Sequence, residues 1–152
     1  MRLGWIYLAA ACAAATFVFL LSAQTSASPK HKPVMMTRFY TGPDRETHAE
    51  EVEAKFTGDR NDVFKLMAIS GAEIHRAPAG AAQDFHVAPR RQYIITLSGQ
   101  GELEIADGKK IRMGPGHISL VEDTTGKGHI TRTIGTEDRV TLTLPISEQA
   151  SR

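Results

Sequence analysis

The sequence predicts an all-β domain, an antiparallel sandwich or barrel, that follows a short N-terminal export segment. The first observation is that apolar and polar residues alternate in successive short runs from residue 63 onward, which is the pattern of strands with one buried face. The second is that turn residues, mainly Gly, Pro, Ser and Asp, separate these runs at the spacing typical of sandwiches and barrels. A length of 152 residues without an internal repeat fits a single domain.

The N-terminal segment has the pattern of a secretory signal peptide. Arg2 is followed by an uncharged apolar run over residues 3–23 and then by small residues, which predicts cleavage after Ala27. The run is also about as long as the ~20 residues that span a bilayer, so an uncleaved anchor outside the cytoplasm is the alternative. We expect an exported protein, periplasmic or secreted, that contacts a membrane only through this segment.

Composition excludes several classes of function for the domain that follows residue 27. Cys12 is the only cysteine, so the domain has no intramolecular disulfide, no thiolate nucleophile and no sulfur-ligated metal. Without Arg2, the 18 basic residues become 17, which equals the 17 acidic residues, and the basic residues form no stripe. Nucleic acid is therefore not an expected partner.

The residues between the signal and the barrel are predicted to be a linker and an arm. Residues 28–35 are polar and rich in proline, which is typical of a flexible linker. Residues 36–42 are predicted to be an edge strand that ends in a turn, and the irregular spacing of apolar residues in 46–56 assigns that stretch to no element. Residues 36–62 are thus expected to be a strand and loop arm, and residues 147–152 a disordered tail.

The barrel is predicted to occupy residues 63–146. Each strand in it is bounded by turn residues, as at the glycine-proline-glycine turn of residues 114–116. The predicted strands are residues 63–69, 72–77, 84–87, 92–97, 102–106, 109–113, 118–122, 129–134 and 139–144.

One hairpin is predicted in detail. Asp107 and Gly108 favour a tight two-residue turn, because both residue types tolerate positive φ. Beside this turn, Leu103 alternates with glutamates and Met113 alternates with basic residues. We expect one face of the hairpin to be buried and the charged residues of the other face to pair across the strands.

The last predicted strand has one apolar face and one polar face. The apolar residues are Val140, Leu142 and Leu144, and the residues of the other face are Arg139, Thr141 and Thr143. A sheet of this kind suits a barrel that encloses a ligand.

Two short motifs resemble those of cupins. Residues 86–99 match the first cupin motif, in which two histidines and a glutamate precede a glycine turn, and residues 108–129 match the second, in which a proline-glycine turn precedes a third histidine. The resemblance covers roughly residues 63–145 and is closest in character to short stand-alone bacterial cupins. It implies a cupin-type antiparallel β-barrel, also described as a double-stranded β-helix or jelly roll.

The resemblance also implies a metal site, but an incomplete one. His86 and His129 stand at the first and third histidine positions, whereas Ala88 replaces the second histidine and Gln92 replaces the glutamate. The usual cupin metals are iron, manganese, zinc, copper and nickel, and a protein site for such an ion needs three or four ligands. The side chains that would complete the set by pointing into the barrel are His48, Glu50, Glu51 and His75.

The sequence therefore predicts a barrel that binds a small organic molecule. His86, Gln92 and His129 are expected to converge on its interior, and both histidines are candidates for an acid or base that titrates near neutrality. Further candidates for ligand contact are Arg90, Tyr93 and Thr131, with Arg90 and Arg91 at the barrel mouth either clamping a carboxylate or facing solvent. His117 follows a turn and is expected to be exposed.

Two other functions stay open at this point. The first is a metal-dependent cupin enzyme, an oxygenase, isomerase or lyase that acts on a small organic acid or sugar. The second is an envelope scaffold that works as a homodimer paired through sheet edges.

Overall fold

The computed structural model describes residues 32–56 and 62–148. The predicted signal segment, residues 28–31 of the linker and residues 149–152 of the tail lie outside this part of the chain. Across residues 32–56 and 62–148 the structure has strands and no helix that is long and apolar enough to cross a membrane. The strands are β1 (Met35–Thr41), β2 (Thr47–Glu53), β3 (Glu73–Ala77), β4 (Ala82–His86), β5 (Gln92–Ser98), β6 (Gln100–Glu104), β7 (Lys110–Met113), β8 (Ile118–Glu122), β9 (His129–Ile134) and β10 (Arg139–Pro145).

The strands form two sheets with the connectivity of a jelly roll. The first sheet has the order β2-β1-β8-β5-β10-β3 and the second has the order β4-β9-β6-β7. Apart from the β6–β7 hairpin, each connection from β3 to β10 passes from one sheet to the other, so the last eight strands form the double Greek key of a jelly roll. The predicted all-β class and the jelly-roll barrel are confirmed.

The N-terminal arm is part of the first sheet, which corrects the prediction of an edge strand. β1 lies between β2 and β8, with an antiparallel pairing to β2 and a parallel pairing to β8. Met36 and Phe39 are buried on opposite faces of β1, so both faces of this strand are covered. The edge strand on this side of the sheet is β2, which lies within residues 46–56, the stretch that the sequence assigned to no element.

The first predicted barrel strand, residues 63–69, is wrong. In this segment Ile69 forms an isolated bridge with Ile146, and Leu66 and Met67 remain partly exposed. Phe64 packs against the outer face of the first sheet, so the apolar character of the segment reflects side-chain packing and not a strand ladder. Two further strands are displaced: β4 begins two residues before its prediction, and β6 lies two residues earlier along the chain.

The β6–β7 hairpin has a longer loop than predicted. The N–H of Gly108 donates to the carbonyl of Ile105 (2.9 Å) and the N–H of Ile105 donates to the carbonyl of Lys109 (3.1 Å). Gly108 has a φ of 80°, but Asp107 does not have a positive φ, so the loop has three residues and ends in a single left-handed glycine. The predicted faces hold, since Leu103 and Met113 are buried and the carboxylate of Glu102 pairs with Lys110 (3.3 Å).

Alternation along the strands produces two apolar clusters. The inner cluster lies between the two sheets and consists of Phe39, Ala88, Leu103, Ile105, Met113 and Val121. The outer cluster covers the opposite face of the first sheet and consists of Met36, Ala54, Tyr93, Leu120 and Ile146. Neighbours on one strand, such as Leu120 and Val121, therefore belong to different clusters.

Candidate ligand-binding cavity

A cavity of about 460 Å³ lies between the two sheets. Its volume falls within the roughly 300–1,000 Å³ that is usual for small-molecule sites. Part of its wall comes from the inner cluster, including Leu103 and Met113, and the rest is a mixture of polar residues and further apolar residues such as Ile94. Because β10 turns its polar face inward, its buried residues Arg139, Thr141 and Thr143 line the cavity.

The structure brings His86 and His129 together in this cavity. The two residues are paired across β4 and β9, and their ring centroids lie 4.5 Å apart in an edge-to-face arrangement. The backbones approach closely here: a Cβ on Gly128 would overlap the carbonyl of His86 and lie 2.7 Å from the nitrogen of Val87. Gly128 also has a φ of 77°, so its lack of a side chain allows the approach that places the rings in contact.

Both imidazoles are oriented through their Nδ1 atoms. The Nδ1 of His86 donates to the carbonyl of Asp84 (2.8 Å), and the Nδ1 of His129 lies 2.5 Å from Oδ2 of the fully buried Asp123. The hydroxyl of Thr47 donates to the same Asp123 oxygen (2.9 Å). Since an acceptor faces each Nδ1, each neutral ring keeps a lone pair on Nε2 that can accept a hydrogen bond or a proton.

Sequence reasoning missed Asp123 and Thr47. Asp123 follows the last residue of β8, and Thr47 is the first residue of β2, far away in the chain. An aspartate six residues before a motif histidine was the available signal, but only the folded chain shows that the two side chains meet.

Gln92 and Thr131 line the cavity as the sequence analysis expected, but Tyr93 does not. Gln92 is buried at the start of β5 and faces inward. Tyr93, the next residue, points to the other side of the sheet and is 2% exposed in the outer cluster. Because neighbouring residues on a strand face opposite sides, Gln92 and Tyr93 cannot both contact one ligand.

The two arginines that were predicted to clamp a ligand carboxylate pair with glutamates of the domain itself. Arg90 lines the cavity, but its Nη2 pairs with the carboxylate of Glu73 (2.6 Å). Arg91 pairs with Glu122, to which Arg38 also donates through Nε (2.6 Å). Burial alone would raise the pKa of Glu122, but the hydrogen bonds from Arg91 and Arg38 outweigh it and hold this pKa below its usual value.

The residues present do not fit a resident transition metal. Within residues 32–56 and 62–148, no three His, Cys, Asp or Glu side chains cluster closely enough to hold an ion. The four side chains proposed to complete the set have other partners: His48 contacts Asp44, Glu50 pairs with Arg38, Glu51 accepts from Thr37, and His75 contacts Glu73. Two imidazoles and the neutral amide of Gln92 leave the site short of ligands and of negative charge.

Two other polar side chains that the fold buries wholly or in part were not recognised from the sequence. Arg139 is only 8% exposed and has no predicted role, although it lines the cavity. His117 is half-buried and not exposed as expected, and its burial lowers its pKa. Arg139 was placed on the polar face of its strand, but alternation does not show which face is turned inward.

Comparison with known proteins identifies similar folds only. No protein-family model matches the chain, and no functionally curated protein matches it. Among solved structures, the cupin domain of Cnp3 from Schizosaccharomyces pombe is 16% identical, over 77% of this chain and 86% of that domain, with a TM-score of 0.42. A cupin protein from Bacteroides fragilis is 21% identical, over 53% of this chain and 70% of its own, with a TM-score of 0.36.

A third similar structure is a conserved protein of unknown function from Streptococcus pyogenes. It is 16% identical, over 57% of this chain and 72% of its own, with a TM-score of 0.40. The fold assignment of the present chain rests on its strand order, and no function is transferred from these proteins.

Proposed function

We propose that this chain, a jelly-roll domain of the cupin type, binds a small organic molecule in the cavity between its sheets without a resident metal ion. The observation that carries the proposal is the histidine pair. His86 and His129 line one cavity, and the Nδ1 of each ring faces an acceptor of the protein, so the Nε2 of each neutral ring is left to accept a hydrogen bond from a ligand.

The remaining walls of the cavity fit such a ligand. Gln92 offers an amide donor and acceptor, and Thr131 offers a hydroxyl. Leu103 and Met113 supply apolar surface for the body of the molecule. A mainly apolar pocket with a few convergent polar groups is the usual composition of a small-molecule site.

Metal analysis of the purified domain tests the proposal first. We expect no stoichiometric transition metal in the wild type. A stoichiometric metal that is lost in His86→Ala and retained in the matched variant His48→Ala, whose histidine is exposed, would overturn the proposal.

Ligand binding is then measured by thermal shift with a panel of organic acids, amides and sugars, since a ligand that binds only the folded state raises the melting temperature. A ligand that raises the Tm of the wild type and of His48→Ala, but not that of His86→Ala, supports a site at the histidine pair. An equal rise in all three proteins contradicts it.

The second candidate function is a metal-dependent enzyme that acts on a small organic acid or sugar. One observation favours it: metal-bound histidines usually donate their other ring N–H to a carboxylate or a carbonyl, as His129 and His86 do here. A metal that binds stoichiometrically when added, and that is accompanied by turnover of a substrate, would favour this candidate.

We also propose that the domain acts outside the cytoplasm. The proposal rests on the positive start, the apolar run and the small residues that end at Ala27. N-terminal sequencing of protein recovered from the periplasmic or secreted fraction tests it, with a mature start near Ser28 as the expected result. Recovery only from the cytoplasm would contradict it.

A further inference from the structure

We infer that the ligand carries a single carboxylate, which pairs with the guanidinium of Arg139 inside the cavity. This inference rests on the proposed function, because it specifies the chemical class of the molecule bound there.

The position of Arg139 places a positive charge inside the barrel. The residue begins β10 in the first sheet, and its side chain crosses to the second sheet, where a Cβ on Gly101 of β6 would lie 2.7 Å from its Nε. Only 8% of the residue is exposed. Gly101 is therefore the gap in β6 that accommodates the guanidinium, and Arg139 faces the same cavity as His86 and His129.

The charge of Arg139 has no counter-ion within residues 32–56 and 62–148. Its Nη2 donates to the hydroxyl of Thr96 (3.1 Å) and contacts the sulfur of Met113 (3.8 Å), both neutral groups. Its buried Nε has no hydrogen-bond partner. The other arginines that form ion pairs in this part of the chain, Arg38, Arg90, Arg91 and Arg132, all meet glutamates.

An unpaired buried guanidinium is costly and keeps its charge. A guanidinium stays protonated in proteins, so it cannot escape burial by becoming neutral. Burial lowers the pKa of Arg139, and no nearby carboxylate raises it. A buried charge is usually paired or fully hydrogen-bonded. The unpaired N–H of Arg139 Nε can therefore donate to an acceptor that a ligand supplies.

The surroundings of Arg139 favour a monocarboxylate over other anions. A guanidinium binds a carboxylate with two parallel hydrogen bonds, which matches the unused donors. The hydroxyls of Thr141 and Thr143 line the same cavity, and apolar residues such as Ile94 and Leu103 line the rest. One uncompensated positive charge matches one negative charge, whereas a doubly charged phosphate would bury an unpaired charge of its own.

The test compares acids with their neutral amides. Thermal shift and calorimetry are run with benzoate and benzamide, with hexanoate and hexanamide, and with inorganic phosphate, at pH 7. We expect at least one carboxylate to bind the wild type, and to bind about tenfold to a hundredfold more tightly than its amide. The difference between acid and amide should be absent in Arg139→Met. The matched control Arg132→Gln, which changes an arginine that pairs with Glu104 and is not among the residues lining the cavity, should keep it.

A second measurement needs no ligand. If Arg139 is held for a ligand, Arg139→Met should unfold at a melting temperature equal to or above that of the wild type, because an unpaired buried charge has been replaced by an apolar side chain of similar length. A clear fall in melting temperature would show a structural role and overturn the inference.

The outcomes separate the inference from the function on which it rests. Amides that bind as tightly as their acids, or phosphate that binds in their place, would overturn the inference while a small-molecule site remains. If the wild type responds to none of these acids, the inference is wrong, and the proposed function is overturned as well if the sugars and the other compounds of the wider panel also fail to bind. The comparison of acid with amide is made on the wild type, so it stands even if Arg139→Met does not fold.

Discussion

Substitution of Gly128 by alanine should destabilise the fold more than the same change at another left-handed glycine. Gly128 has a φ of 77°, and an added Cβ would overlap the His86 carbonyl and lie 2.7 Å from the nitrogen of Val87, below the 3.0 Å that real Cβ atoms keep. The matched control is Gly116, which has a φ of 84° but no atom within 4 Å of an added Cβ. Both alanine variants incur the cost of a left-handed backbone, and only Gly128→Ala adds a collision with backbone atoms.

The magnitude follows from these two terms. A left-handed backbone costs a non-glycine residue about 1–2 kcal/mol, which is the whole expected loss for Gly116→Ala. In Gly128→Ala, β4 and β9 must also move apart, and losing one or two ladder hydrogen bonds costs about 0.5–1.5 kcal/mol each. We therefore expect a total loss of about 1.5–5 kcal/mol in the free energy of unfolding for Gly128→Ala.

Urea denaturation of the three proteins measures these losses, provided that the slope of the unfolding free energy against urea stays the same. The same shift should separate the rings of His86 and His129 and weaken ligand binding beyond the loss in stability. Equal losses of stability in the two variants would refute the close approach of β4 and β9, and with it the geometry of the histidine pair.

Three other perturbations test the electrostatics of the cavity and its rim. Burial lowers the pKa of His117, while the nearby charge of Glu51 raises this pKa and that of Arg139 lowers it. The stability contributed by the neutral imidazole is therefore full above pH 6.5 and declines as the pH falls below that value. Urea melts of His117→Asn should show a flatter dependence of stability on pH below 6.5, and an unchanged slope would contradict the burial. The pKa of Glu122 is also lowered, so Glu122→Gln should reduce the free energy of unfolding by about 1–2 kcal/mol at neutral pH. The difference from wild type should disappear as the pH falls below 4.5, because the carboxylate of the wild type then becomes protonated. A difference that persists in acid would exclude the ion pairs as its cause. Asp123→Asn should keep the fold but remove the carboxylate that faces Nδ1 of His129, so nitrogen NMR of the His129 imidazole should show a changed tautomer. An unchanged signal would mean that Asp123 does not orient this ring.

Local sequence patterns were sufficient to predict the all-β class and most of the strands. Alternation is a local property, so β8 and β9 were predicted at their observed bounds, and the buried face of the β6–β7 hairpin was correct. The glycine spacing of two motifs also predicted the barrel type. These features depend on residues close together in the chain.

Which strand lies at an edge and which face turns inward depend on contacts between strands that are distant in sequence. β1 was predicted as an edge because nothing local reveals that β2 will cover it, and residues 63–69 appeared as a strand because apolar residues that pack on an outer face have the same composition as those in a ladder. The polar face of β10 proved to be the inner one. Periodicity separates two faces of a strand but does not say which of them encloses a cavity.

The site was predictable only in part for the same reason. His86, Gln92 and His129 were found because they occupy motif positions, and the structure places all three around one cavity. Asp123 and Arg139 have no such position, and their roles come from contacts between strands that are distant in sequence. Whether an aspartate orients a histidine, or an arginine is buried without a partner, depends on which charges the finished fold brings within reach.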